Sequence, residues 1–72
     1  MKDFSLEHKY FAKKVRLKRH ELNISQEKMA EILNCHVNTL GRLERAQATP
    51  SFFMILKICK ALNISPRDLM PY

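Results

Sequence analysis

One glycine, no tryptophan and only two cysteines in 72 residues rule out several chemistries at the start. With Gly41 alone, neither a glycine-rich phosphate loop nor a nucleophile elbow can be assembled. Cys35 and Cys59, even with His36 beside the first, lack the paired spacing of a zinc site. They read as reduced, small apolar residues, and no metal or cofactor is expected. The scattered Glu and His residues make no acid/base pair on any one face, so no catalytic residue is assigned and an enzyme is not expected. Nothing approaches 18 consecutive apolar residues, which argues against a membrane span. The opening MKDFSLEHK has no apolar signal-peptide core, so a cytoplasmic location is expected. Internal repeats and low-complexity segments are absent as well.

What the chain does have is positive charge. Thirteen Lys and Arg against seven Asp and Glu give a net charge of +6, which favours a polyanionic partner. A hydrophobic content of 46% is enough for one small core. A single domain over residues 1–72 is expected, with no room for a separate sensing or dimerisation domain. At this size a fold buries only about 60% of its unfolded surface, so the stability margin is thin.

Residues 25–44, SQEKMAEILNCHVNTLGRLE, organise the rest. Ser25 can cap a helix in which Met29, Ile32 and Leu33 recur at helical spacing beside small Ala30. Asn34 tolerates the left-handed conformation that ends many helices. After Cys35 and His36, Val37, Leu40 and Leu43 mark a second helix at three-residue steps. Two apolar-faced helices with so short a link must cross steeply and share one core. That is a helix-turn-helix, about residues 25–45, and it points to DNA.

The stretch resembles the lambda-repressor/Cro-like (Xre-type) helix-turn-helix family. The resemblance rests on Ser25-Gln26, Ala30, Leu43-Glu44 and Pro50-Ser51. It continues through Ile55, Ile58, Ala61-Leu62, Ile64-Ser65 and Asp68-Leu69. Asn34 and Ala46 stand where the family usually has Gly, His36 where it has Ser or Thr, and Val37 where it often has Arg or Gln. The resemblance implies an all-α, five-helix fold with the helix-turn-helix at its centre. It implies that Arg19 pairs with Glu44, that Gln26 grips a phosphate, and that the loop after the third helix follows the DNA backbone. Small members such as restriction-modification controller proteins dimerise through the C-terminal end, which implies a homodimer.

Taken in order, residues 1–4 are expected to fray. Helix one runs from Ser5 to about Leu22, with Leu6, Phe11, Val15 and Leu22 as its apolar positions. It carries six of the chain's cations: Lys9, Lys13, Lys14, Arg16, Lys18 and Arg19. Lys9 and Lys13 read as a solvated face, whereas Lys14 or Lys18 could attract DNA. An exposed Arg19–Glu44 pair would contribute at most about 1 kcal/mol. Helix three runs from Val37 to about Arg45. With Leu40 and Leu43 inward, Val37, Asn38, Gly41 and Arg42 are the candidate base contacts. Val37 could meet a thymine methyl, Asn38 an adenine edge or a phosphate, and Arg42 a guanine or a phosphate, while Gly41 would either let backbone approach the DNA or mark a tolerant site. Gln26, His36, Thr39, Arg45, Gln47 and Thr49 are the candidate phosphate contacts. Ala46 would be strained in a left-handed conformation.

Pro50 sits in the first turn of helix four, capped by Thr49 or Ser51. Phe52, Ile55, Ile58, Cys59 and Leu62 form its inward stripe. Phe53, Met54 and Leu56 are more than one core needs and, with Met70 and Tyr72, make the expected dimer interface. Ser65-Pro66-Arg67-Asp68 opens a short fifth helix. The expected protein is a transcriptional regulator that binds double-stranded DNA as a homodimer on a two-fold operator, with no membrane partner. The rival reading is a protein-interaction module, an antitoxin or adaptor, with secondary DNA binding.

Overall fold

Four residues with acceptor side chains start four of the helical segments. Ser25 Oγ accepts from the Lys28 amide at 3.0 Å, and Ser51 Oγ from the Met54 amide at 3.1 Å. Ser65 makes a reciprocal cap, with Oγ accepting from the Arg67 amide while its own amide donates to Asp68 Oδ2 at 2.9 Å. The unusual member is His36, whose Nδ1 accepts from the Asn38 amide at 3.1 Å where a hydroxyl is the common solution. Asparagines end three of the four α-helices. Asn23, Asn34 and Asn63 all take left-handed φ values of 55–56° and turn their amides back onto carbonyls of the preceding turn.

The structure, a computed structural model, describes residues 5–72, so the expectation for residues 1–4 lies outside it. The elements are α1 (Ser5–Glu21), α2 (Gln26–Leu33), α3 (Val37–Glu44), α4 (Phe52–Leu62) and a C-terminal 3-10 turn (Pro66–Leu69). The described residues thus hold four α-helices and no strand, which corrects the five-helix expectation. Pro66 and the tight Ser65–Asp68 cap leave four residues before the chain extends at Met70, too few for an α-helix to propagate.

Val15, Met29, Leu33, Leu40, Ile58 and Leu62 are fully buried and form one cluster with Phe11, Ala30, Cys59 and Leu69. Burying each large side chain contributes roughly 1.5–3 kcal/mol. Every element supplies at least one member, so α3 is held from behind by the whole fold. Four residues of the expected apolar faces lie elsewhere, Ile32 among them, on the outer side of α2 and 48% exposed. Leu6 and Leu22, at the two ends of helix one, are exposed beyond the reach of the other helices. Phe52 is 69% exposed, because Ser51 caps the helix and leaves Phe52 in the first turn, before the core contacts begin at Met54 and Ile55. Pro50 stays outside that helix.

Candidate nucleic-acid interface

The end of α3 is tied to α1 and α2 through one residue. Glu44 is 1% exposed and Arg19 7%. Arg19 Nε donates to Glu44 Oε2 at 2.7 Å and its NH2 group to Oε1 at 3.0 Å, a two-pronged pair. Gln26 Nε2 donates to the same Oε1 at 3.0 Å, and Arg19 NH1 to the Ile24 carbonyl at 2.7 Å. Arg16 NH1 donates to the Glu44 main-chain carbonyl at 2.8 Å. The pair is therefore buried and fully hydrogen-bonded, unlike the exposed one considered from sequence. Removing one partner of such a pair costs far more than removing a surface contact.

Gln26 has a double position. One hydrogen of its side-chain amide goes to Glu44, and the other has no partner among the described residues. The first-turn amides of Gln26 and Glu27 have no partner among the described residues. This is the electropositive end of a helix, with its donors directed along the axis.

Across the core, α3 and its C-cap residue Arg45 present an exposed strip of Asn38, Thr39, Arg42 and Arg45. Two expected members are not on it. Val37 is half-buried and packs against the core. It sits one turn before Leu40 and Gly41, on the side where α3 meets α2. Gly41 is buried, and a Cβ added there would lie 3.0 Å from Arg45 NH1. In a helix a long side chain leans back over the preceding turn, so Arg45 covers the residue four positions earlier.

The loop after α3 is internally braced. Arg42 NH2 donates to the Gln47 carbonyl at 3.2 Å, and Arg45 Nε to Gln47 Oε1 at 3.1 Å. His8 Nε2 bonds the Ala48 carbonyl at 2.8 Å and fixes the loop to α1. Ala46 does adopt a left-handed φ of 58°. Thr49 is exposed but turns toward an apolar groove of about 630 Å³, lined in part by Phe11, Pro50, Ile55, Leu69 and Met70.

Two capped helices joined by a three-residue turn, a polar strip on the second, and a buried arginine–glutamate pair make a helix-turn-helix of defined type. A family model described as helix-turn-helix matches residues 13–69. The chain belongs to the helix-turn-helix family. Its Xre/lambda-repressor-like members are DNA-binding transcription regulators and not enzymes. Control protein C.BamHI of Bacillus amyloliquefaciens is 36% identical over 63 residues, covering 86% of this chain and 78% of that protein. Control protein C.SmaI of Serratia marcescens is 36% identical over 59 residues, covering 82% and 70%. The crystal structure of the restriction-modification controller protein C.AhdI from Aeromonas hydrophila superposes with a TM-score of 0.84 at 32% identity. That match covers 90% of this chain and 98% of the other.

The helix-turn-helix chain carries residues at this site that the sequence did not single out. Arg16 and His8 act on main-chain carbonyls 28 and 40 positions away, and nothing local marks such contacts. Lys9 and Lys13 border a concavity beside Arg45. Lys14 and Lys18, the cations favoured from sequence, instead line a depression with Ile64 and Asp68, away from α3. Their face was legible in principle, because Lys9, Lys13 and Arg16 follow one another at helical spacing.

Of the expected dimer residues, Phe53 (72%), Leu56, Met70 and Tyr72 (84%) are exposed. Met54 is half-buried and packs against the core. Among the described residues no group of His, Cys, Asp or Glu could hold a metal, and no helix is long and apolar enough to cross a membrane.

Proposed function

We propose that this chain is a sequence-specific transcriptional regulator that places α3 in the DNA major groove and binds a two-fold operator as a homodimer. The observation that carries this reading is the polar strip of α3, exposed on a helix whose other side is locked by Glu44 and the core. Asn38 suits an adenine edge and Arg42 a guanine, where a bidentate contact is worth roughly 1–3 kcal/mol of discrimination. Gln47 takes one of the five donors of Arg42 and so orients the guanidinium. Gln26 and the first amides of α2 suit one phosphate. His36, Thr39, Arg45, Gln47 and Thr49 line the path of the backbone on either side.

One recognition helix covers only a few base pairs, so useful specificity calls for two. The half-sites would lie roughly 34 Å apart, one turn of DNA. Phe53, Leu56, Met70 and Tyr72, joined by Phe52, supply the surface for self-association, beside the groove under Pro50. The controller names of the relatives support regulation of gene expression. The domain over residues 1–72 would act in the cytoplasm, its occupancy set by concentration or by a protein partner.

Selection of bound duplexes from a random library at near-physiological salt tests the proposal. An enriched inverted repeat is the expected result. Weak, salt-sensitive binding with no enrichment would transfer the function to the exposed apolar end. It would favour the second reading, a protein-interaction module in which Phe52, Phe53 and Tyr72 meet another protein.

A further inference from the structure

Lys9, Lys13 and Arg16 recur at i, i+4 and i+7 along α1 and share one of its faces. That face meets the end of α3. With buried Ala12 between them, the three cations border a concavity of about 280 Å³ completed by Arg45 and Ala46. We infer that this concavity is a seat for a DNA phosphate lying outside the base pairs that α3 reads, so that α1 extends the footprint. The inference rests on the DNA-binding reading above and assigns that binding a contact no relative's name supplies.

Charge is the first argument. Four cations surround one small depression, and the single acid at its edge, Glu44, already takes Arg19 and Gln26. No described acid pairs with Lys9 or Lys13. Like charges gathered in this way repel one another in the unbound protein, and an anion relieves the repulsion. Preorganisation is the second argument. Arg16 is fixed by the Glu44 carbonyl at 2.8 Å and Arg45 by Gln47 at 3.1 Å, so two guanidinium groups are oriented before any ligand arrives. The bond from Arg16 also offsets the partial negative charge at the C-terminal end of α3, which would otherwise oppose an anion. Location is the third. Arg45 belongs both to the exposed strip of α3 and to the concavity, so a duplex seated on the strip brings its backbone to the lysines.

The test compares two doubly neutralised proteins with the unaltered chain. One carries Lys9→Gln and Lys13→Gln. The other carries Lys14→Gln and Lys60→Gln, which remove equal charge away from the concavity. Binding to a pool of random 40-base-pair duplexes is measured across salt concentrations, so no operator is needed. The seat predicts that the slope of log affinity against log salt becomes shallower by about 1 in the Lys9/Lys13 protein. It also predicts a smaller change in the Lys14/Lys60 protein. Equal changes in both would mean that net charge alone is felt and would overturn the seat, as would no change in either. An enriched operator with an unaltered slope would overturn the seat and leave the proposed function standing. An altered slope without any enriched operator would do the reverse.

Discussion

Arg45 occupies the space that a side chain at position 41 would fill. Its NH1 group lies 3.0 Å from the place of a Gly41 Cβ, and its Nε is held by Gln47 at 3.1 Å. Glycine within a helix costs roughly 1 kcal/mol relative to alanine, and here that cost coincides with a seat for a guanidinium on the exposed side of α3. The groups that would collide are the far end of a flexible side chain, which can swing away. Gly41→Ala is therefore expected to raise the urea midpoint, by up to about 1 kcal/mol of stability, while weakening DNA binding. The binding loss should disappear when Arg45→Ala is already present. An equal loss in both backgrounds would instead place the backbone of Gly41 itself against DNA.

Glu44 receives three side-chain hydrogen bonds in a site closed to solvent. Glu44→Gln keeps the shape and strands the Arg19 charge. A loss of roughly 3–5 kcal/mol is expected, a large share of the total of about 5–15 kcal/mol for a domain. Chemical denaturation measures this directly. A loss below about 1 kcal/mol would mean that the pair behaves as an exposed one.

Ala46 holds a φ of 58° with the Cβ that glycine would spare it. Ala46→Gly is expected to gain about 1 kcal/mol in the folded protein, reduced in part by the added freedom of the unfolded chain. A lower unfolding midpoint in the variant would show that the loop carries no such strain.

Burial first, and the Asp68 carboxylate second, push the Cys59 thiol above its ordinary value of 9.0. The folded state then favours the protonated thiol. The associated stability is complete below pH 9.0 and is lost as pH rises through the higher folded value. A disulfide-exchange reagent near pH 8 should label the half-buried Cys35 well before Cys59. Simultaneous labelling would indicate that Cys59 is reached without opening of the core.

The order of helices and most of the core were legible because caps and periodicity are local properties. Ser25, Asn34, Ser51 and Asn63 mark their boundaries by their own chemistry, and Met29, Leu33, Leu40 and Leu62 repeat at helical spacing. Side-chain direction was less legible. Val37 and Gly41 fall at the edge of the buried arc of α3, where spacing alone does not decide between core and solvent. Gly41 is covered only because Arg45 folds back over it. The lysines of α1 show the same limit. Their stripe is visible in the sequence, but only the crossing of α1 and α3 brings Lys9 and Lys13, and not Lys14 and Lys18, to the end of α3. The fifth helix failed for a different reason: its cap was read correctly, but the segment behind it is too short to propagate.

If α3 reads bases, Arg42 is the side chain whose removal shows it most directly. Duplex selection is carried out in parallel with the unaltered protein and with Arg42→Ala. Base reading by Arg42 predicts that the two recovered motifs share spacing and symmetry, and that the variant loses preference at one position in each half-site. A uniform fall in affinity with an unchanged motif would contradict it and make Arg42 a phosphate contact.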